Sequence, residues 1–202
     1  MNRHRHWLTG LVFLALVSCT AQPDELEVLE PESQPVSDVR LEKLLTLMNR
    51  RLELMHDVAR WKWNEQKPVS DPNREAELLD RLVHQGAEYE LPADTLRDFF
   101  QAQMDGSKQI QQADFDHWKA EQQLKFENVP DLINDLRPKI TELSAQLLAS
   151  LEELHTEFGQ QPFSKLVTEQ AKTILTADGI TAEVRETVLR PLLSPAAVEP
   201  AQ

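Results

Sequence analysis

The apolar residues of this chain recur at helical spacing along most of its length, and this regularity is the strongest constraint on its fold. Between residues 37 and 190 they return every three or four positions, which places them on one face of an α-helix. No segment alternates with the two-residue period of a strand. The sequence therefore predicts an all-α protein, a helical bundle built on a long central helix with a C-terminal helical extension.

The boundaries of the predicted helices follow from capping and helix-breaking residues. Ser37 or Asp38 can cap the first helix, and Asp71 followed by Pro72 is a favourable start for the second. Gly86 can end that second helix. The apolar stripes place the helices at residues 41–59, 72–86, 92–126, 130–159, 162–176 and 181–190.

The beginning of the chain is typical of an exported protein. A basic segment, 2–6, precedes an apolar run, 7–17, which is too short to span a bilayer and has the length of a signal-peptide core. The next residues, Leu16-Val17-Ser18-Cys19, resemble the bacterial lipobox, whose cysteine is acylated and becomes the first residue after cleavage. The alternative is an ordinary signal peptide cut after Ala21. We expect a periplasmic protein that is lipid-anchored at Cys19.

Composition divides the rest of the chain. Residues 20–36 contain five acidic residues, three prolines and no lysine or arginine, a composition that buries too little apolar surface to fold. Prolines 191, 195 and 200 interrupt the other end. The predicted organisation is a signal peptide at 1–18, an acidic tether at 19–36, a helical domain at 37–125, a helical extension at 126–190 and a disordered tail at 191–202.

Charge and composition exclude several classes of function. The formal net charge of −13 disfavours nucleic-acid binding, which depends on neutralising phosphates, and it disfavours a polybasic membrane patch. One cysteine allows no internal disulfide and no cysteine-based zinc cluster. With only five glycines there is no phosphate-binding fingerprint, and the histidines lack metal-ligand spacing. We therefore expect no metal, and membrane contact only through the lipid on Cys19.

The informative residues are polar side chains on apolar helix faces. Arg51 and Lys62 share a face of the first helix about 16 Å apart, which suits a small molecule with two carboxylates. The alternative is that each cation reaches past the core edge to water. Ser107 and Gln111 lie one turn apart on the central helix, where a buried group needs a partner, either a ligand or a hydrogen bond within the protein.

Four further charged residues lie near predicted helix starts. Asp71 can act as a cap without any ligand, and Glu75 follows one turn later. Arg74 opposes the helix dipole at a position where an acid would be favoured. Arg137 precedes a proline at another predicted helix start, where it can also be a plain surface residue.

Spacing joins these residues into one pattern. The step from Arg51 to Lys62 is eleven residues, the step from Lys62 to Arg74 is twelve, and a Ser-x-x-x-Gln motif lies on the central helix. The stretches are Arg51-Leu52-Glu53-Leu54, Lys62, Lys67-Pro68-Val69-Ser70-Asp71-Pro72-Asn73-Arg74-Glu75 and Asp105-Gly106-Ser107-Lys108-Gln109-Ile110-Gln111-Gln112. Together they resemble the all-helical chorismate mutases over about residues 37–125. The export signal and the helices after 126 make the chain similar to the secreted, periplasmic class of that family.

The resemblance implies an isomerase of aromatic amino acid biosynthesis, in the shikimate pathway. Such an enzyme rearranges chorismate to prephenate without a cofactor or a covalent intermediate. Lys62 and Gln111 would be the catalytic residues, because they would donate hydrogen bonds to the ether oxygen, and Lys62 would also contact a carboxylate. The implied substrate-binding residues are Arg51, Lys62, Asp71, Arg74, Glu75, Ser107, Gln111 and Arg137.

Each of the other residues has an implied partner on the substrate. Arg51, Arg74 and Ser107 would bind carboxylates, whereas Asp71 and Glu75 would hold the ring hydroxyl. Arg137 looks like the arginine that completes the pocket within one chain of the secreted class. We expect a homodimer. Members of this class can carry a disulfide near the C-terminus, and this chain has no cysteine there.

A second function explains part of the sequence. A non-catalytic helical lipoprotein that binds a partner protein would account for the tether, the bundle and the acidic surface. It would not account for the cations and amides on the inner helix faces. Loss of the ultraviolet absorbance of chorismate distinguishes the two hypotheses.

Overall fold

The computed structural model describes residues 36–194, and side chains from residue 39 onward. Cys19, the predicted signal peptide, nearly all of the tether and most of the predicted tail lie outside this range. The all-α prediction is confirmed, because no strand occurs between residues 36 and 194. The helices are α1 (Val36–Glu53), α2 (Met55–Asn64), α3 (Pro72–Gly86), α4 (Ala93–Ala120), α5 (Arg137–Glu152), α6 (Gln161–Ile174) and α7 (Ala182–Leu193).

Helix α4 is the central element of the fold, as the sequence predicted. It packs against α1, α2, α3 and α7, and its apolar face carries buried residues along most of its length. Close approach to α7 depends on Gly106, because a Cβ atom there would lie 2.5 Å from the Cγ1 atom of Val188. The cost of glycine within a helix is thus offset by tight packing of α7.

The first predicted helix is two helices in the structure. The chain leaves α1 after Glu53 and begins α2 at Met55, with Leu54 forming the turn between them. Leu54 keeps helical backbone angles (φ −66°, ψ −13°). The stripe of buried apolar residues continues across this turn, from Leu52 to Met55 and Val58.

The predicted end of the central helix, Phe126, is six residues too far. Helix α4 ends at Ala120, and Gln122 adopts a left-handed conformation (φ 55°). The following segment runs back along α2, where the Asn64 amide donates to the carbonyl of Phe126 (2.9 Å) and accepts from its N–H (2.8 Å). The Asn64 side chain thus satisfies the backbone N–H and C=O of Phe126, which would otherwise form hydrogen bonds within a helix.

The C-terminal helices pack onto the first part of the chain. Helices α5 and α6 lie against α1, and α7 lies against α4 and α6. The predicted fourth helix begins as a π-helical turn (Leu132–Leu136), followed by α5. The predicted start of a disordered tail at 191 is wrong. Pro191 lies inside α7 and Leu192 is fully buried, with its carbonyl accepting from the N–H of Gly159 (3.1 Å).

Candidate active site

One cavity of about 180 Å³ brings together every residue that the sequence predicted for the substrate site. Its walls come from α1, α2, α3, α4 and α5, together with the loop before α3. The predicted residues in its lining are Arg51, Lys62, Asp71, Arg74, Glu75, Ser107, Gln111 and Arg137. All eight therefore line the same cavity of one chain.

Arg51 is almost completely buried at the end of α1, with 3% of its surface exposed. Its Nη1 atom donates to the hydroxyl of Ser107 (3.0 Å) and to the carbonyl of Gln103 (3.4 Å). Burial lowers the pKa of Arg51 to about 10, so the guanidinium stays charged at neutral pH. Both of these acceptors are uncharged, which leaves the cation suited to an anionic ligand.

Lys62 enters the cavity from the last turn of α2. Its Nζ atom donates to the amide oxygen of Gln111 (2.9 Å) and to the carbonyl of Val69 (2.6 Å). Burial lowers the pKa of Lys62, and the negative charges of Glu75 and Asp71 oppose that shift. An ammonium has three hydrogens, so one donor remains for a ligand.

Ser107 and Gln111 have hydrogen-bond partners within the protein. The Ser107 hydroxyl donates to the carbonyl of Gln103 (2.6 Å), and the Gln111 amide nitrogen donates to the carbonyl of Ser107 (3.0 Å). Both bonds lie within α4. They agree with the alternative given above, that hydrogen bonds within the protein satisfy these buried groups. Both residues also line the cavity, so partners in the protein hold them at a position where a ligand can reach them.

The start of α3 supplies two acidic residues and an arginine. Asp71 caps the helix by accepting from the backbone N–H of Arg74 (3.2 Å), with Pro72 in the first turn, as predicted. The guanidinium of Arg74 donates to Glu77 (3.3 Å), one turn further on. Arg74 is thus held beside the cavity by a neighbour on its own helix.

Glu75 is fixed by three hydrogen bonds, one of which comes from a cation. Its Oε1 atom accepts from the Ser70 hydroxyl (3.1 Å) and from the backbone N–H of Asp71 (3.0 Å), and its Oε2 atom accepts from Lys108 Nζ (2.8 Å). Burial alone would raise the pKa of Glu75, but the bonds from Lys108, Asp71 and Ser70 outweigh burial and lower it. Glu75 is therefore ionised at neutral pH.

Arg137 reaches the same cavity from the first position of α5. The preceding turn is anchored by Asp131, whose carboxylate accepts from the backbone N–H groups of Ile133 (3.0 Å) and Asn134 (2.8 Å). Arg137 lies near enough to Lys62 for its positive charge to help lower the pKa of Lys62. The helices after residue 126 thus contribute a cation to a site whose other predicted residues precede them.

The cavity is strongly cationic in a chain of net charge −13. Six arginine or lysine side chains line it, against two acidic ones. Two of the six, Arg81 and Lys108, were not predicted from the sequence. Lys108 follows Ser107 directly and lies one position off the inner stripe of α4. The pattern of polar residues on that stripe therefore does not indicate it. Among residues 39–194 no group of three or more His, Cys, Asp or Glu residues could hold a metal ion.

The described residues form an all-helical fold with one strongly cationic cavity, and known proteins share features of its sequence and fold. Residues 42–112 match the family chorismate mutase type II. This segment contains all of the predicted site residues except Arg137. The resemblance that the motifs indicated is therefore confirmed.

Individual relatives agree with this assignment. The chain is 29% identical over 111 residues to a secreted chorismate mutase of Yersinia pestis, which covers 54% of this chain and 59% of the relative. It is 30% identical over 118 residues to a monofunctional chorismate mutase of Enterobacter agglomerans, covering 58% and 64% respectively. The matches thus span less than two thirds of these curated relatives.

Solved structures share the fold over a longer part of the chain. A chorismate mutase from Burkholderia thailandensis superposes with a TM-score of 0.70 at 29% identity, covering 76% of this chain and 99% of that one. The secreted chorismate mutase from Yersinia pestis superposes with a TM-score of 0.63 at 21% identity, covering 74% and 94%. The described part of the chain has the all-α chorismate mutase fold.

Proposed function

We propose that this protein is a chorismate mutase, which converts chorismate to prephenate, a step of aromatic amino acid biosynthesis. The observation that carries the proposal is the single cavity lined by all eight residues that the family pattern implies. The surplus of positive charge in that cavity suits a substrate with two carboxylates. The family match and the relatives named above support the same activity.

The rearrangement makes modest demands on the protein. It is a pericyclic step, in which one C–O bond breaks as one C–C bond forms within the same molecule. The protein needs only to hold the substrate in a compact conformation and to stabilise negative charge on the ether oxygen. A millionfold acceleration requires about 8 kcal/mol, of which one preorganised donor supplies roughly 3–4 kcal/mol and conformational restriction several more.

The cations divide between the two ends of the proposed substrate. Arg51, held by Ser107, binds one carboxylate from the buried side, and Arg137 and Arg74 bind the other from the rim. Lys62 faces the ether oxygen with the hydrogen that the protein leaves unused. Asp71 and Glu75, at the start of α3, accept hydrogen bonds from the ring hydroxyl.

Gln111 needs a rearrangement to act as a second donor. Its amide oxygen accepts from Lys62 and its nitrogen donates to the Ser107 carbonyl and contacts Met55 Sδ (3.6 Å). The second hydrogen of the amide nitrogen therefore meets only a thioether sulfur, which is a weak acceptor. A change of the side-chain torsion presents this hydrogen to the ether oxygen, while Lys62 keeps its bond to the amide oxygen.

The activity is tested by adding purified protein to chorismate and following the loss of its ultraviolet absorbance, with prephenate identified by NMR. We expect turnover by the wild type and a large loss of rate in Lys62→Ala. Lys165→Ala is the matched control, because Lys165 is exposed on α6 and away from the cavity. Absence of turnover at micromolar wild-type protein would overturn the proposal and favour a non-catalytic helical protein that binds a partner.

We further propose that each chain forms a complete site, whether or not the protein is a homodimer. The support is Arg137, which lines the cavity from α5 of the same chain. Arg137→Ala should lose much of the activity, whereas Lys139→Ala, two residues away and exposed, should not. Mixing Arg137→Ala with Lys62→Ala should restore no activity, and restoration would show that chains share sites.

Export is also a proposal, supported by the signal-like sequence before residue 18 and by the secreted relative from Yersinia pestis. We propose a periplasmic protein with a lipid on Cys19. The intact mass of the native protein should correspond to a chain that begins at an acylated Cys19. An unmodified N-terminus at Gln22 would leave an exported protein without an anchor. Within residues 36–194, no helix is long and apolar enough to cross a membrane.

A further inference from the structure

Lys108 lies in the cavity wall beside Glu75, and none of the proposed steps uses it. Its Nζ atom is 2.8 Å from Glu75 Oε2 and 3.1 Å from Asp105 Oδ1. The side chain is 29% exposed and that of Glu75 is 22% exposed, so water screens the ion pair only in part. Lys108 thus connects the central helix to the start of α3 at the hydroxyl end of the proposed site.

We infer that Lys108 is a positioning residue that aims Glu75 and thereby sets the selectivity of the site for a substrate with a ring hydroxyl. The inference rests on the proposed function, since it concerns the same cavity. It assigns to Lys108 no direct contact with the substrate.

The acceptor geometry of Glu75 carries this inference. An ionised carboxylate can accept about four hydrogen bonds, two at each oxygen. Ser70 and the backbone of Asp71 occupy both positions on Oε1, and Lys108 occupies one on Oε2. The remaining position is on Oε2, next to the ammonium. A ring hydroxyl that donates there meets an oxygen whose direction and charge Lys108 fixes.

Asp105 holds Lys108 in turn. Its Oδ1 atom contacts Lys108 Nζ and accepts from the Gln101 amide (3.0 Å), one turn earlier on α4. Burial lowers the pKa of Lys108, but the bonds to Glu75 and Asp105 outweigh it and raise the pKa. Lys108 is therefore a stable cation, restrained from two sides while Glu75 receives a substrate.

The test compares two substrates in a set of variants. The first is chorismate, and the second is an analogue whose ring hydroxyl is replaced by hydrogen. In Lys108→Met, kcat/KM for chorismate should fall roughly fivefold, which is the size expected for a partly exposed ion pair, with the loss mainly in KM. The value for the analogue should change little, because it donates nothing to Glu75. The ratio of kcat/KM for chorismate to kcat/KM for the analogue should therefore fall.

Three variants separate this role from simpler ones. Lys108→Arg should restore most of the ratio, since it restores a cation beside Oε2. Lys119→Met removes a lysine from an exposed position of the same helix and should leave the ratio unchanged. Lys108→Gln serves in place of Lys108→Met if circular dichroism shows that the latter does not fold.

The pH profile gives a second readout. The charged groups that line the cavity with Glu75 are Lys62 from α2, Asp71 before α3, Arg74 and Arg81 from α3, Lys108 from α4 and Arg137 from α5. Asp105 of α4 contacts Lys108. Removing Lys108 takes away the strongest influence that lowers the pKa of Glu75, and burial, which raises it, remains. The kcat/KM for chorismate in Lys108→Met should therefore fall at a higher pH than in the wild type as the solution is acidified.

Other outcomes overturn the inference. An equal loss for both substrates would mean that Lys108 binds the substrate directly or only supports the fold. Unchanged kcat/KM values for both substrates, with the wild type active, would mean that Glu75 needs no help from Lys108. A wild type that does not turn over chorismate would overturn the proposed function itself, so the two failures are distinguishable.

Discussion

Arg51 of α1 and Lys62 of α2 both line the cavity but differ in how the protein holds them. The guanidinium of Arg51 is 3% exposed and bonded to a hydroxyl and a carbonyl, whereas the ammonium of Lys62 is half-buried. Arginine suits the buried position, because its pKa stays far above neutrality even after burial. The mobile, compact ammonium suits a place where charge develops during a reaction.

Lys62→Ala should lose more rate than Ser107→Ala. Lys62 places a full charge opposite the proposed ether oxygen, and loss of such a donor typically costs roughly 100- to 1,000-fold in kcat. Ser107 contributes one hydroxyl, worth on the order of tenfold in binding. Steady-state kinetics of the two variants checks this order. Equal losses would assign Lys62 to substrate binding alone.

Gln111→Glu should make the rate depend on pH. The wild-type amide donates at any pH, so kcat should be nearly flat between about pH 5 and 8, where a glutamate of ordinary pKa ~4.3 is ionised. A carboxyl at position 111 donates only when protonated, so the rate of the variant should rise as pH falls. Its midpoint should lie above the ordinary pKa of glutamate, since Gln111 is buried and burial disfavours the charged form.

The control for this prediction is Gln112→Glu, the same change at the next, exposed position of α4. Its pH profile should match that of the wild type. A wild-type rate that itself climbs steeply toward acid pH would show that a group other than Gln111 must be protonated.

At the residue scale, the site could be predicted from sequence wherever a polar residue interrupts an apolar stripe. Arg51, Lys62, Ser107 and Gln111 were found in this way, and the structure places all four in the cavity. The role of Lys108 could not be predicted from the stripe, because its partner Glu75 is 33 residues away and lies on another helix. Local spacing contains no information about such a pair.

At the scale of elements, helix positions followed from periodicity, whereas several ends did not. Asp71 caps the start of α3 as predicted, because a cap is a local signal. Gly86 is the last residue of α3, but it keeps helical angles (φ −65°, ψ −18°) and is not a left-handed cap. The turn at Leu54 has no glycine or proline to mark it, and the end of α4 depends on the contact between Asn64 and Phe126 across 62 residues. Tertiary contacts override propensity at those positions.

The packing of α7 on α4 makes a prediction about Gly106. Alanine there would gain about 1 kcal/mol in helix propensity but would force its Cβ into Val188, and such overpacking costs roughly 1–3 kcal/mol. We expect Gly106→Ala to lower the free energy of unfolding, measured in urea. In Gly106→Ala/Val188→Ala the loss should be smaller than the sum of the single losses, because the second change makes room for the first. Additive losses would show that the contact imposes no strain.

At the scale of the whole molecule, one histidine joins three parts of the fold. His56 on α2 contacts Asp114 of α4 through Nδ1 (2.8 Å) and the carbonyl of Asp178, between α6 and α7, through Nε2 (3.0 Å). Only the imidazolium can donate from both ring nitrogens. The bond to Asp114, opposed by burial and aided by Asp178, raises the pKa of His56 to about 9.

This raised pKa predicts how stability depends on pH. Because the pKa in the folded state exceeds the ordinary value of about 6.5, the contribution of His56 is complete below pH ~6.5 and is lost as pH rises toward 9. Thermal unfolding of the wild type should therefore show a Tm that falls across this range. In His56→Gln that fall should be smaller, whereas His84→Gln, at an exposed position, should behave as the wild type. An identical fall in all three proteins would contradict the role of His56.

Arg137 lies on the same chain as the other seven residues, and this bears on how the activity depends on protein concentration. A site shared between two chains disappears when the protein is diluted below the dissociation constant of its dimer. A site built within one chain has no such limit, so its activity per molecule is constant at any concentration. For a periplasmic protein, as proposed here, each chain would then be active without first meeting a second one.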